Sequence, residues 1–135
     1  MSVKLGIEEI RNIGLFVKVT GVQPKDCLIT EDCIYFLVSP GKMVFAIGKN
    51  GSNVKKLRKA MGKNIKLFAI YDTLEKTIKK MVPSLKSMKI NNDTVIISIP
   101  FEDKSKIIGR NGNNIKAIKE LLRRHFSIKD LKVRM

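Results

Sequence analysis

The chain has 135 residues, 44% of them hydrophobic, and carries 27 Lys and Arg against 12 Asp and Glu, a net charge of +15. No run approaches the ~20 apolar residues of a membrane span, and the opening Met1-Ser2-Val3-Lys4-Leu5-Gly6 lacks a signal-peptide core, so a cytoplasmic protein without a membrane partner is expected. The excess of positive charge favours a polyanion, nucleic acid before a membrane surface.

Residues 7–20 read as a helix, with Ile7, Ile10, Ile13 and Val17 on one stripe, Glu8 and Glu9 in the first turn and Gly21 as the stop. Cys27 to Thr30 and Cys33 to Val38 are apolar runs rich in strand formers around the acidic turn Glu31-Asp32, which predicts a β-hairpin. The two cysteines are expected to be reduced, half-buried strand residues, with a disulfide between them left open. A zinc site is disfavoured by their spacing and by the single, distant His125, which stands at a helix end where a cationic side chain suits the helix dipole.

A brief helix over 42–47 leads into Gly48-Lys49-Asn50-Gly51, and a longer one follows with Val54, Leu57 and Met61 facing the core, ending at Gly62. A third strand is predicted at 65–70. The same order then recurs. Asp72-Thr73-Leu74-Glu75 resembles a capping box, opening a helix with Leu74, Ile78 and Met81 or Val82 inward and Pro83 as its end. Strands near 87–91 and 94–99 flank a turn at Asn91-Asn92-Asp93, a short helix runs to Ile108, and the next carries Ile115, Ile118 and Leu122 inward before a last strand near 129–134. Phe36, Phe45 and Phe68 fall in apolar runs and are expected in the core.

The order α-β-β-α-α-β therefore occurs twice, and its two halves share a stretch at a constant offset of 61 residues: Ile47 to Arg58 matches Ile108 to Lys119. The expected fold class is α+β, two small domains over 1–71 and 72–135, each a three-stranded sheet packed against helices. Domains this small are marginal alone, and nothing Gly-, Ser- or Pro-rich lies between them, so a fixed relative orientation is expected.

The repeated Gly-x-x-Gly turn suggests phosphate binding, because glycine allows positive φ and lets another backbone approach closely, while the following helix offers unpaired N–H groups and its positive end. Between Asp32 and Asp72 there is no acidic residue but eight basic ones, and over 104–129 Glu120 is the sole acid among eight. The candidate binding residues are Ile47, Gly48, Lys49, Asn50, Gly51, Asn53, Lys55 and Lys56, and in the second copy Ile108, Gly109, Arg110, Asn111, Gly112, Asn114 and Lys116.

These loops, each followed by a basic amphipathic helix, resemble the signature of the KH RNA-binding domain, whose Gly-x-x-Gly loop clamps four nucleotides. The element order is similar to the type II, prokaryotic-style arrangement, and two such domains with almost no linker, with Asn53 and Asn114 after the second glycines, resemble the paired KH region of NusA-family transcription factors, the short archaeal members above all. The resemblance covers nearly the whole chain. It implies single-stranded RNA as partner, with phosphates at the two loops and bases in grooves walled by Ile47, Ile108 and the strands 65–70 and 129–134. RNA polymerase or a transcription complex is a further candidate partner, through the acids Glu8, Glu9, Glu31 and Asp32. The polymerase-binding domain and oligonucleotide-binding barrel of the bacterial members have no counterpart in this sequence, so the resemblance does not by itself imply pausing and antitermination through direct polymerase contact.

Two other readings compete. A KH adaptor in ribosome assembly or RNA processing suits the charge equally. An enzyme such as a nuclease fits poorly: Glu31-Asp32 and Glu102-Asp103 are adjacent pairs at turns or helix starts, no His/Cys nucleophile set exists, and neither a Walker-type Gly-Lys-Ser/Thr nor a Gly-x-Gly-x-x-Gly occurs. No catalysis, cofactor or metal is expected. With aromatic content at 6%, affinity should rest on phosphate contacts rather than base stacking.

Overall fold

The structure, a computed structural model, describes residues 6–134; the outermost residues of the two expected domains lie outside the described ones. The chain divides into two compact units that part between Asp72 and Thr73.

The first unit runs α1 (Ile7–Thr20), β1 (Asp26–Ile29), β2 (Cys33–Val38), α2 (Met43–Ile47), α3 (Ser52–Met61) and β3 (Asn64–Ala69), with 3₁₀ turns leading into α2 and α3. Strand β2 is central, antiparallel to β1 and parallel to β3. Alternation along β2 puts Ile34, Phe36 and Val38 on one face, where they join Phe16 of α1, Ala46 of α2 and Leu57 of α3 in one core. The Phe16 and Phe36 rings stack with centroids 4.3 Å apart. The stripe expected on α1 needs correction: Ile7 and Ile10 are 78% and 58% exposed, whereas Phe16 is fully buried with Ile13 and Val19 packed around it. The core-facing stripe is i, i+3, i+6 from Ile13 onward, so the helix contributes its C-terminal half.

Cys27 and Cys33 are both buried, not half-buried, and neither is in a disulfide. The hairpin register sets Cys27 opposite Phe36, so the cysteines are not cross-strand partners. Burial pushes the Cys33 thiol up from its ordinary pKa and does the same to the neighbouring Tyr35 hydroxyl.

The second unit repeats the plan: α4 (Leu74–Met81), β4 (Ser87–Asn91), β5 (Thr94–Ser98), α5 (Lys104–Ile108), α6 (Asn113–Phe126) and β6 (Asp130–Arg134). Here β5 is central, antiparallel to β4 and parallel to β6. Val95, Ile97 and Ile99 are buried, as are Ile78, Met81 and Val82 around the end of α4 and Ala117, Ile118, Leu121 and Leu122 of α6. The cap of α4 falls one residue later than the box predicted: Thr73 accepts the Lys76 N–H at 3.3 Å. Its N3 position is thus a lysine, and the reciprocal acid of a capping box is missing.

Candidate nucleic-acid interface

Each unit brings its short helix into its long helix through a turn of nearly identical shape. Gly48 and Gly109 have φ of 78° with ψ of 167° and 175°, Asn50 and Asn111 sit at φ 56°, and Gly51 and Gly112 at φ 72° and 73°. Matching hydrogen bonds close the turns, from the Gly51 N–H to the Gly48 carbonyl and from the Gly112 N–H to the Gly109 carbonyl, both 3.1 Å. Asparagine is one of the few L-residues that tolerates left-handed backbone, which explains its presence at both Asn50 and Asn111.

The two glycines of each turn have different tasks. A Cβ on Gly48 would lie 2.9 Å from Asn53 Cγ and 3.0 Å from its backbone nitrogen, and one on Gly109 would lie 2.7 Å from Asn114 Cβ and 2.9 Å from its nitrogen. The first glycine is therefore required by the protein's own packing. Around Gly51 nothing lies within 4 Å of such a Cβ, and around Gly112 only the end of Lys116 does, at 3.6 Å. The second glycine faces the open space that a ligand backbone could enter.

Asn53 and Asn114 hold this arrangement from inside. The Asn53 side-chain amide donates to the Phe45 carbonyl at 2.9 Å, and that of the buried Asn114 to the Ile107 carbonyl at 2.8 Å. Each bond ties the first turn of the long helix to the short one before it. Gly51 and Gly112 are the N-caps of α3 and α6, and neither supplies a side-chain cap to the first-turn N–H groups of its helix.

Of the remaining predicted residues, Lys49, Asn50, Lys55 and Lys56, and likewise Arg110, Asn111 and Lys116, are exposed around their turns, while Ile108 is half-buried. Lys116 reaches back to the Asn111 carbonyl at 3.4 Å. In the first unit Ile47, Gly51, Val54, Lys55, Arg58, Ile65 and Leu67 line a groove of ≈ 370 Å³. Val54, expected purely as core, is half-buried and forms part of this wall. Ile65 and Leu67 share one face of the strand expected as a groove wall, whereas Arg58, one helical turn beyond Val54, went unpredicted as a groove residue. Phe45 also departs from expectation: it is 62% exposed, with Lys42 Nζ 5.7 Å from its ring centroid. Within the short α2 it is Ala46 that turns to the core.

Among the described residues no group of three or more His, Cys, Asp or Glu could hold a metal ion, and no helix is long and apolar enough to cross a membrane. The geometry offers instead two concave, basic turns with amide donors and an apolar wall beside the first. A family model for the KH domain matches residues 9–69 and again 69–135. The chain belongs to the KH-domain family. More narrowly it is an archaeal NusA-like protein with tandem type II KH domains: it is 30% identical over 138 residues to the "Probable transcription termination protein NusA" of Methanocaldococcus jannaschii, covering 98% of this chain and 75% of that one. The proteins of the same name from Halobacterium salinarum and Halococcus morrhuae are 31% and 32% identical, with 98% of this chain and 99% of theirs aligned. Among solved structures, the crystal structure of APE1850 superposes with a TM-score of 0.78 at 33% identity, covering 96% of this chain and all of that one. Membership makes this KH protein an RNA-binding, NusA-like factor.

Proposed function

We propose that the protein is a non-catalytic factor that binds single-stranded RNA in the cytoplasm during transcription elongation or termination, holding RNA phosphates at Gly48 to Gly51 and at Gly109 to Gly112. One KH module occupies residues 1–71 and the other 72–135. The observation that carries the reading is the duplicated turn: both copies keep the same backbone angles, leave the space beside the second glycine open and start an uncapped basic helix there. Phosphate oxygens accept from the turn and helix N–H groups, Lys49 and Arg110 add charge, and bases lie against Ile47, Val54 and Leu67 in the first groove. Joining two clamps in one chain raises the effective concentration of the second once the first has engaged.

The process is supported by the name that the archaeal relatives share, transcription termination protein. The test replaces Lys49-Asn50 and Arg110-Asn111 together with Asp-Asp pairs. Aspartate tolerates the left-handed position, so the variant should fold as judged by circular dichroism and lose RNA binding. A folded variant that binds RNA with an unchanged dependence on salt refutes the loops as the site. Affinity purification of the tagged protein then separates processes: RNA polymerase in the eluate supports transcription, and pre-ribosomal particles without polymerase support an adaptor in ribosome assembly instead.

A further inference from the structure

The two modules share a turn but not the charge beside it. In the first, α3 contains no acidic residue, and Lys55 and Arg58 both line the groove. Among the described residues neither of these side chains has an ion pair or hydrogen bond; the nearby acids Glu31 and Asp32 share an adjoining concavity with Arg58 without pairing to it. The residues 61 positions on, Lys116 and Lys119, are both engaged. Lys116 is bonded to the Asn111 carbonyl of its own turn, and Lys119 Nζ lies 3.0 Å from Asp130 Oδ1. Asp130 is fixed in turn by the Leu131 N–H at 2.8 Å. Farther along α6, Glu120 takes the Arg123 Nε at 2.7 Å.

For Lys119 the source of the difference is a single strand position. Asn64 opens β3 opposite Cys33, the first residue of the central strand, and Asp130 opens β6 opposite Thr94, the first residue of its own central strand. Where the first module has a neutral amide, the second has a carboxylate within reach of the helix cation that corresponds to Arg58.

We infer that the modules are unequal RNA clamps: the first supplies most of the phosphate affinity, and Asp130 holds the second in a weakened state by occupying Lys119. This rests on the RNA-clamp reading above. A cation already paired to a carboxylate releases fewer counterions when a phosphate arrives, so the second module adds less to affinity and to salt dependence. The pair is a weak one, since both side chains are about 40% exposed, so Lys119 is attenuated rather than removed as a phosphate ligand.

The experiment uses the full chain and a fluorescein-labelled oligouridylate, with anisotropy titrations over a range of salt. Asp pairs at 49–50 and at 110–111 are made separately, so that each leaves one module in charge of binding. The 49–50 variant should lose affinity at least threefold more than the 110–111 variant. In the 49–50 background, Asp130→Asn, which keeps an oxygen acceptor for the Leu131 N–H, should restore affinity roughly three- to tenfold and steepen the salt slope by about 0.7, one phosphate contact on a single strand. In the 110–111 background, Asn64→Asp should weaken binding to a similar extent. Equal losses from the two loop variants, with Asp130→Asn and Asn64→Asp both silent in folded protein, overturn the inequality and leave the clamp standing. If neither loop variant weakens binding, the clamp itself is wrong, and the inequality falls with it.

Discussion

Replacing Gly109 by alanine, beside the same change at Gly112, separates packing from ligand access within one turn. At Gly109 the backbone lies at φ 78° and ψ 175°, a region essentially closed to other residues, and forcing alanine there costs on the order of 1–3 kcal/mol. The added methyl also meets Asn114 Cβ at 2.7 Å and its backbone nitrogen at 2.9 Å, contacts on a helix start that cannot swing aside, for about 1–3 kcal/mol more. A total near 3 kcal/mol is expected, taking the lower half of each range because the turn can relax slightly. At Gly112 the angles are φ 73° and ψ 12°, ordinary left-handed backbone, and the methyl meets only Lys116 Cε, near the end of a long side chain, at 3.6 Å, so about 1 kcal/mol is expected. The difference of about 2 kcal/mol corresponds to roughly 8–16 °C in melting temperature for a domain of this size. Far-UV circular dichroism melts of the two variants measure it, and anisotropy with labelled RNA should find the more stable Gly112→Ala protein impaired in binding, because its methyl projects into the ligand's space. A Gly109→Ala protein as stable as Gly112→Ala would refute the assignment of separate tasks to the two glycines.

Other outcomes follow from the same geometry. Asn114→Ala should destabilise by about 1–3 kcal/mol, since it strips a buried carbonyl of its donor, and Asn53→Ala, whose bond is solvent-exposed, by less; urea titrations of both variants check the order. Phe45→Ser should change stability by less than about 0.5 kcal/mol, as an exposed position, whereas Phe36→Ala should cost roughly 3–5 kcal/mol, as a fully buried one; a costly Phe45→Ser would mean that its ring is covered. The Lys119 hydrogen bond, followed by that from the Leu131 N–H, holds the Asp130 carboxyl below its ordinary pKa. Its stabilising contribution is present above the unfolded-state pKa and lost as pH falls through the lowered native one. Carbon-13 NMR should show Asp130 titrating below the ordinary aspartate range and moving up in Lys119→Gln; no movement would mean that the pair is not formed in solution.

Much of the molecule was legible in the residues because its determinants are local. Alternation and turn chemistry place the hairpins, apolar runs place the central strands, and Gly-x-x-Gly at a constant offset exposes the duplication, since backbone torsion is dictated by the residue that occupies it. The readings that failed depend on what a side chain meets across the fold. Phe45 and Phe36 both sit in apolar runs, yet one is in solvent and the other in the core, because only tertiary packing decides which side of a five-residue helix turns inward. Ile7 and Ile10 continue a helical stripe that the core does not reach. Val54 becomes a groove wall because Leu67, distant in sequence, arrives beside it. The charge count alone makes the two halves look equivalent; only the pairing of β6 with β5 brings Asp130 to Lys119. The sequence by itself determined the duplicated fold and the shape of the Gly-x-x-Gly turns, because glycine and asparagine act on their own backbone. The tertiary structure decided which cations of the two long helices are paired, because ion pairing depends on distances that no spacing along the chain can state.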